Sequence, residues 1–228
     1  MRVVCFDIDG TLIRSDGAGR RAIRRALVDV LGTTGPIDEL RFDGRTDGEI
    51  VIRLAEGAGL DPTPELVASV LERYEKLLPE ELVRPGFKAT VYPGVNETLD
   101  ALERRSDALL GLLTGNVVGG ARHKLEAAGL RFERFRVGAF GSDHHVRAEL
   151  PAIARRRAAE LLARDVAGGD LVIIGDTPAD MTCGNGIGAR AIGVATAAYS
   201  VDQLMEAGAC VAFEDLSDTE AVVKAVFG

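Results

Sequence analysis

Short apolar runs alternate with longer helical patterns along most of this 228-residue chain. Six runs predict β-strands: RVVCFDI, DALLGLLTG, RFRVGAF, DLVIIGD, RAIGVAT and ACVAFED. Several are apolar throughout, as expected of strands that helices cover on both faces. Helical periodicity is found in the segments between them: GVNETLDALERR, GARHKLEAAGL and LPAIARRRAAELLAR. The alternation predicts a doubly wound, Rossmann-like α/β domain with a parallel sheet.

The alternation is interrupted once, between the first two strands. From about Ser15 to Val91 there are helical patterns and no convincing strand: GAGRRAIRRALVDVLG, DGEIVIRLAEGAGL and TPELVASVLERYEKLL. This stretch is too long for one crossover connection. It predicts an all-helical cap at residues 16–91, inserted into a core of residues 1–15 and 92–228. We expect the cap to lie over the carboxyl ends of the strands, where such sheets bind ligands.

Charge and cysteine content narrow the class of protein. A net charge of −8 argues against nucleic acid as the main partner, because nucleic-acid-binding proteins usually carry a basic face. No run has the length of a membrane span, and no signal peptide is recognisable. The three cysteines are scattered and fit a reducing compartment. We therefore expect a cytoplasmic protein, and the sequence predicts no particular oligomeric state.

Polar and acidic side chains end three of the predicted strands. They are Asp7 and Asp9 after the first strand, Thr114, Gly115 and Asn116 after the second, and Asp176 and Asp180 after the fourth. Because the carboxyl ends of parallel strands meet at one edge, we expect these residues to gather there. Clustered carboxylates repel each other and need a cation. Oxygen ligands without a nearby cysteine or histidine pair favour Mg²⁺.

This set of groups suits phosphoryl transfer through a carboxylate. A carboxylate can take up a phosphoryl group as an aspartyl-phosphate, which water later cleaves. A metal ion neutralises the nucleophile and the substrate, which otherwise repel each other. A second carboxylate can protonate the leaving oxygen and then deprotonate the water. Thr114 can donate a hydrogen bond to a phosphate oxygen.

FDIDGTL, LLTGN and GDTPAD, in this order, resemble motifs I, II and IV of the haloacid dehalogenase-like (HAD) hydrolases. The helical insertion resembles the C1 cap of that superfamily. FDGRTDGEI and YPGV are similar to the branch that contains phosphoglycolate phosphatase and β-phosphoglucomutase. The resemblance runs from residue 3 to about residue 195. It implies a Mg²⁺-dependent phosphatase that hydrolyses small phosphorylated metabolites through an aspartyl-phosphate.

The resemblance also implies roles for the acidic residues. Asp7 is the nucleophile and also a metal ligand. Asp9 is the general acid and base, and its backbone carbonyl joins the Mg²⁺ ligands. Asp176 is the main additional metal ligand, and Asp180 orients the motif III cation or a metal-bound water.

Motif II is implied to hold the phosphoryl group. Thr114 binds it, with the backbone of Gly115 or Asn116 as a further contact. Asn116 is equally consistent with a turn residue and with a substrate contact.

The chain departs from the family at motif III, which usually has a lysine, often followed by proline. GSDHHVRAELPAIARRRA stands there instead, and no lysine occurs between Phe140 and Asp176. Arg147, with Pro151 shortly after it, is our candidate for this cation. Arginine binds phosphate through two hydrogen bonds from its planar guanidinium group, whereas lysine acts as a point charge. Lys124, on the helix after motif II, is the alternative.

Two other features have both a structural and a functional interpretation. Arg45 and Thr46 in the cap are candidates for contact with the non-phosphate end of the substrate, but TDGE also resembles a helix N-cap box. His144 and His145 are expected to be exposed loop residues rather than metal ligands.

Three other functions fit parts of the pattern. A phosphomutase of the β-phosphoglucomutase type keeps the same core residues and differs in its cap contacts. A 2-haloacid dehalogenase attacks carbon and needs neither metal nor a proton for the halide, so Asp9 and the acid pair of motif IV count against it. A non-catalytic binding protein would tolerate the loss of Asp7 or Asp9, and neither is lost.

Overall fold

The computed structural model describes all 228 residues, Met1–Gly228. Its strands in chain order are β1 (Arg2–Phe6), β2 (Ile13–Arg14), β3 (Thr90–Val91), β4 (Ala108–Leu113), β5 (Val137–Ala139), β6 (Leu171–Gly175), β7 (Arg190–Val194) and β8 (Val211–Phe213). Six of them form a parallel sheet in the order β5-β4-β1-β6-β7-β8. All six predicted strands are present, so the predicted parallel sheet is confirmed.

Nine α-helices accompany the strands. They are α1 (Ala18–Leu31), α2 (Asp47–Gly57), α3 (Pro64–Leu82), α4 (Val95–Glu103), α5 (Val118–Ala127), α6 (Leu150–Leu162), α7 (Pro178–Cys183), α8 (Val201–Glu206) and α9 (Thr219–Phe227). No helix is both long enough and apolar enough to cross a membrane. The three cysteines are free thiols, and the cytoplasmic location stays a prediction.

The central strand β1 shows why the core runs are apolar throughout. Successive side chains of a strand point to opposite faces of the sheet. Val4 and Phe6 pack into the cluster that includes residues of α4, α5 and α9. Val3 and Cys5 pack into a second cluster with residues of α6. Both faces of the strand are therefore buried, as the doubly wound architecture requires.

The first three helices form a hydrophobic cluster of their own over one end of the sheet. It includes Ile23 and Leu27 of α1, Leu54 of α2, and Tyr74 and Leu78 of α3. All three helices were predicted. The domain boundaries at residues 16 and 91 remain a prediction.

One short pairing was not predicted. β2 and β3 form a two-stranded antiparallel ribbon in which Ile13 is opposite Val91 and Arg14 is opposite Thr90. The two strands flank the segment that carries the first three helices. Two-residue strands carry no detectable periodicity, so the sequence does not reveal them.

Candidate active site

The predicted site residues follow three neighbouring strands. Asp7 directly follows β1, Thr114 follows β4 and Asp176 follows β6. These strands lie side by side in the order β4-β1-β6. From β1 the chain passes to β4 and β5 on one side, and then to β6, β7 and β8 on the other. The residues thus lie at the point where strand order reverses, where doubly wound sheets bind their ligands.

Asp7 is buried beside a guanidinium group. Its side chain is 9% exposed, and its Oδ1 lies 3.4 Å from Nη2 of Arg147. Burial raises the pKa of Asp7 to about 6, whereas the charge of Arg147 acts to lower it. The backbone N–H of Asp7 donates to the carbonyl of Ile174 at 2.9 Å, which fixes the residue against β6.

Asp176 occupies space that only a glycine leaves open. Gly10 has a φ of +86°, and a Cβ on it would lie 2.3 Å from Oδ2 of Asp176. The hydroxyl of Thr11 donates to the other oxygen of Asp176 at 3.0 Å. Burial is the main cause that raises the pKa of Asp176, followed by the charges of Asp180 and Asp7. This repulsion among acids indicates a site for positive charge.

Asp180 is fully buried, and both its oxygens already have donors. Oδ2 accepts from the backbone N–H of Thr177 at 3.0 Å and from its hydroxyl at 2.6 Å, which forms the capping box of α7. Oδ1 accepts from Nη2 of Arg147. Asp180 therefore both caps a helix and orients the guanidinium that faces Asp7.

The acids fit a hard divalent cation. Carboxylate oxygens of Asp7, Asp176 and Asp180 all lie within 4.8 Å of one another. An all-oxygen donor set of this kind is typical of Mg²⁺, which is bound by one or two carboxylates together with waters and substrate oxygens. Because both oxygens of Asp180 already accept hydrogen bonds from Thr177 and Arg147, the carboxylates of Asp7 and Asp176 are better placed to bind the cation.

Asp9 faces a different set of groups. Its Oδ1 accepts from the hydroxyl of Ser15 at 2.7 Å, and its Oδ2 accepts from Lys124 at 2.6 Å and from Nδ2 of Asn116 at 3.0 Å. Burial acts to raise the pKa of Asp9, but the charge of Lys124 and the three hydrogen bonds lower it below its ordinary value. The resting form of Asp9 is therefore the carboxylate.

Asn116 links Asp9 to Thr114. Its Nδ2 also donates to Oγ1 of Thr114 at 2.8 Å, and its Oδ1 accepts from Nζ of Lys124 at 2.5 Å. The side-chain amide is thus engaged within the site. Since the buried Thr114 hydroxyl accepts from Asn116, its own proton can be donated, and a hydrogen bond from Thr114 is among the causes that act to lower the pKa of Asp7.

The two candidate cations lie against different acids. Arg147 contacts Asp7 and Asp180. Lys124, which is 5% exposed, contacts Asp9. Burial acts to lower the pKa of Lys124, but the charges of Asp9 and Asp47 raise it above its usual value. Both cations are therefore charged, and only Arg147 borders the predicted nucleophile.

The acids open into a cavity between the sheet edge and the part of the cap formed by α1, α2 and the loop that joins them. Its volume is about 420 Å³, and only six of its 26 lining residues are hydrophobic, which favours a small polar ligand. Arg45 lines this cavity, and its guanidinium pairs with Glu49 and donates to the carbonyl of Arg41 at 3.0 Å.

The cap is docked on the loops that follow β4 and β5. The N–H of Asp47 donates to the carbonyl of Gly115 at 2.8 Å, and the N–H of Val117 donates to Oδ2 of Asp47 at 2.9 Å. The hydroxyl of Thr46 donates to the carbonyl of His145 at 2.6 Å. A Cβ on Gly115 would lie 2.1 Å from the carbonyl oxygen of Arg45. These contacts hold the cap against both loops.

Thr46 has the helix-capping role. It is fully buried, is the N-cap of α2, and accepts from the N–H of Glu49 at 3.0 Å. The reciprocal bond of a capping box is missing, because the carboxylate of Glu49 pairs with Arg45 and Arg53. Among the two cap candidates, Arg45 alone lines the cavity.

The two histidines lie in the loop before Arg147 and outside the cavity lining. Their rings stack with centroids 5.0 Å apart, and Nδ1 of His144 accepts from the N–H of Val146 at 3.0 Å. His145 is exposed and His144 is half-buried. No group of potential metal ligands includes either residue.

Several contacts at the site were not predicted. They include the hydrogen bonds of Thr11, Ser15 and Asp47. The position of Lys124 carries the clearest overlooked signal, since it lies beside Leu125 and three residues after Ala121 on the apolar side of its helix. A charged residue at such a position is rarely buried without a partner.

Comparison with known proteins identifies related folds. A hydrolase from Pseudomonas syringae is 22% identical, with 99% of each chain covered and a TM-score of 0.74. A predicted phosphoglycolate phosphatase from Haemophilus somnus is 19% identical, with 98% of each chain covered and a TM-score of 0.69. CbbY from Rhodobacter sphaeroides, solved with xylulose 1,5-bisphosphate, is 19% identical, with 96% of each chain covered and a TM-score of 0.72.

These likenesses extend over nearly the whole chain, and at such identities they show a shared fold. No curated protein sequence matches the chain. The family model for haloacid dehalogenase-like hydrolases matches residues 4–185, which include the three strand ends described above. The chain therefore belongs to the haloacid dehalogenase-like hydrolases.

Proposed function

We propose that this hydrolase is a Mg²⁺-dependent phosphatase that acts on small phosphomonoesters through an aspartyl-phosphate on Asp7. The observation that carries the proposal is the separation of two acids of motif I. Asp7 borders Asp176 and Arg147, whereas Asp9, two residues later, is held by Ser15, Asn116 and Lys124. One carboxylate is thereby poised for phosphate and the other for proton transfer.

Asp7 and Asp176 would hold the Mg²⁺ together with the backbone carbonyl of Asp9. The ion would supply positive charge that reduces the repulsion between the nucleophile and the phosphate. Arg147 supports the same task from the protein side, because its guanidinium borders Asp7 and is held by Asp180. We therefore assign the motif III role to Arg147 rather than to Lys124.

Motif II would bind the phosphate oxygens. The hydroxyl of Thr114 has a proton to donate, since Asn116 already donates to its oxygen. The backbone around Gly115 would add a further contact. Because the amide of Asn116 is engaged with Lys124 and Thr114, we assign it a supporting role.

Asp9 would serve both chemical steps. In the first, Asp7 attacks phosphorus and Asp9 passes a proton to the leaving oxygen. Since Asp9 rests as a carboxylate, this proton has to arrive with the substrate, and a phosphomonoester monoanion carries one with a pKa of about 6. In the second step, Asp9 takes a proton from the water that cleaves the aspartyl-phosphate.

The cap favours a small monophosphate over a bisphosphate. The arginines at the cap end of the cavity already have partners: Arg14 pairs with Asp16 at 2.9 Å, Arg45 pairs with Glu49, and Arg20 donates to two backbone carbonyls. A phosphomutase that passes through a sugar bisphosphate needs cations for the second phosphate. This pairing supports hydrolysis over the mutase reaction, with phosphoglycolate as one candidate among sugar and acid phosphates.

The test uses p-nitrophenyl phosphate and a panel of phosphorylated metabolites with and without Mg²⁺. We expect turnover that EDTA abolishes and that Asp7→Asn lowers by at least about 1000-fold, since the nucleophile is lost. Asp38→Asn, at an exposed acid of the cap, is the matched control and should keep full activity. Turnover that survives EDTA, or an active Asp7→Asn variant with an unchanged Tm, would refute the proposal.

A further inference from the structure

Lys124 is a buried cation to which the proposed reaction assigns no role. It lies on α5, beyond the motif II turn, and is 5% exposed. Burying an ammonium group costs free energy unless strong partners replace its water. Perturbed, buried charges beside a cleft are concentrated at functional sites. The residue therefore calls for an explanation beyond packing of the helix.

Its partners all belong to the surroundings of Asp9. Nζ lies 2.6 Å from Oδ2 of Asp9 and 2.5 Å from Oδ1 of Asn116. Asn116 in turn donates to the same oxygen of Asp9 at 3.0 Å, and Ser15 holds the other oxygen at 2.7 Å. Both oxygens of Asp9 are thus held, and Lys124 is the only charged donor among the three.

The cap completes the enclosure of Lys124. A Cβ on Gly19 of α1 would lie 3.2 Å from Nζ and 3.7 Å from the hydroxyl of Tyr74 on α3. That hydroxyl is buried without a hydrogen-bond partner. Asp47 of α2 is close enough for the charge of Lys124 to act on it. Each cap helix therefore contributes a neighbour to the surroundings of Nζ.

We propose that Lys124 is a positioning residue that fixes the carboxylate of Asp9 toward the leaving oxygen when the cap closes. The proposal rests on the proposed function, because it takes Asp9 as the group that transfers the proton. Lys124 acts through Asp9 and not on the phosphoryl group, because it contacts Asp9 whereas Arg147 borders Asp7. A long, flexible side chain from the core can reach Asp9, and the small Gly19 leaves room for its ammonium group.

The kinetic test compares two leaving groups in Lys124→Met, which keeps the length of the side chain and removes its charge. The value of kcat/KM reports the steps through loss of the alcohol. An alkyl phosphate needs protonation of its leaving oxygen, whereas p-nitrophenolate leaves without it. We expect kcat/KM to fall by about 100-fold or more for an alkyl phosphate and by less than about 10-fold for p-nitrophenyl phosphate. Lys76→Met, at an exposed lysine of α3, should change neither.

Equal losses with both esters would mean that Lys124 acts on the phosphoryl group, and no loss with either would mean that it is only structural. Both results overturn the proposal. Lys124→Gln, which keeps a hydrogen-bond donor of shorter reach, replaces the Met variant if that one does not fold. It should show the same difference between the esters.

A crystal structure of the variant gives a readout that does not depend on activity. We expect the Asp9 carboxylate to turn away or to occupy more than one rotamer, while Asp7 and Asp176 stay in place. An unmoved Asp9 would overturn the proposal. If the wild-type protein hydrolyses neither ester, the proposed function fails, and the position of Asp9 in the variant still decides whether Lys124 fixes it.

Discussion

Asp47 is a cap residue whose ionisation is tied to its burial. It is 6% exposed and accepts a hydrogen bond from the N–H of Val117 at 2.9 Å. Burial raises its pKa to about 6, although Lys124 and the bond from Val117 act to lower it. A carboxylate that is hard to ionise in the folded protein makes stability depend on pH.

Asp47 makes the folded protein less stable as pH rises, because its pKa is higher in the folded chain than in the unfolded chain. The pKa of Asp47 is about 3.9 in the unfolded chain, so as pH rises the unfolded chain releases this proton first. The folded state is therefore destabilised as pH rises from about 4 to about 6, and the penalty is constant above that range. We expect Asp47→Asn to have a higher Tm than the wild type at pH 7.5, and this difference to shrink as pH falls to 4.5.

Thermal unfolding monitored by fluorescence between pH 4.5 and 8 measures this difference. Asp38→Asn, at an exposed acid, should show no such trend. A difference in Tm between Asp47→Asn and wild type that stays constant over the whole range would contradict the expectation.

Arg147, to which we assign the motif III role, shows how an arginine is accommodated beside Asp7. Its Nη2 contacts Asp180 and Asp7, whereas its Nε is buried without a partner. A lysine at this place would have no such unpaired N–H. The guanidinium group thus supplies positive charge beside Asp7 but leaves its Nε–H without an acceptor. We expect this unsatisfied donor to lower the free energy of unfolding by about 1–3 kcal/mol.

For single residues, the sequence predicts which side chains lie at strand ends better than it predicts which residues these side chains contact. Asp7, Asp9 and Asp176 can be located because each follows an apolar run, and parallel strands bring such ends together. The contact between Lys124 and Asp9 joins residues 115 apart in the chain. It depends on how α5 packs against β1 and the cap, which local patterns do not encode.

Among the secondary-structure elements, the loop after β4 is the surface on which the cap rests. It carries Gly115, whose missing side chain lets the carbonyl of Arg45 approach. Asp47 donates its N–H to the carbonyl of Gly115 and accepts from the N–H of Val117, and both bonds hold the start of α2 against the same loop. Closure of the cap therefore depends on the absence of one methyl group.

We expect Gly115→Ala to separate the cap from this loop, because the added Cβ would lie 2.1 Å from a backbone oxygen. Its kcat/KM should fall by about 100-fold, since a small misplacement of the site can have an effect of this size. Gly186→Ala is the matched control, because a Cβ there meets nothing within 4 Å. An active Gly115→Ala variant would show that the contact with Arg45 is not needed for turnover.

Long elements are predictable here and short ones are not. The apolar runs and the three cap helices have enough residues to show their periods. β2 and β3 have two residues each, and α7 has six, of which three lie within the GDTPAD motif. These elements exist because the surrounding fold sets their register, so a sequence window around them carries little signal.

For the whole molecule, the acid cluster predicts a link between metal binding and stability. A ligand that binds only the folded state stabilises it by about 2.7 kcal/mol at 100 times its Kd. For a chain of this size that corresponds to a rise in Tm of about 5–10 °C. We expect saturating Mg²⁺ to raise the Tm of the wild type by this amount.

Asp176→Asn should lose most of this rise, because it removes a ligand. Without metal, its Tm should be no lower than that of the wild type, because the change relieves repulsion among Asp7, Asp176 and Asp180. Asp38→Asn should respond to Mg²⁺ like the wild type. The same Mg²⁺-dependent shift in Asp176→Asn would place the metal elsewhere.

The ribbon of β2 and β3 also determines how the inserted helical segment is connected to the rest of the chain. Arg14 and Thr90 are opposite each other, so residues 15–89 leave from and return to one stem of hydrogen-bonded backbone. A two-residue turn is sufficient to join two antiparallel strands. A shortened chain with such a turn in place of residues 15–89 would therefore end the same stem as a hairpin and leave every strand of the large sheet in its register. Helical inserts of other lengths could therefore be exchanged at this stem without redesigning the sheet.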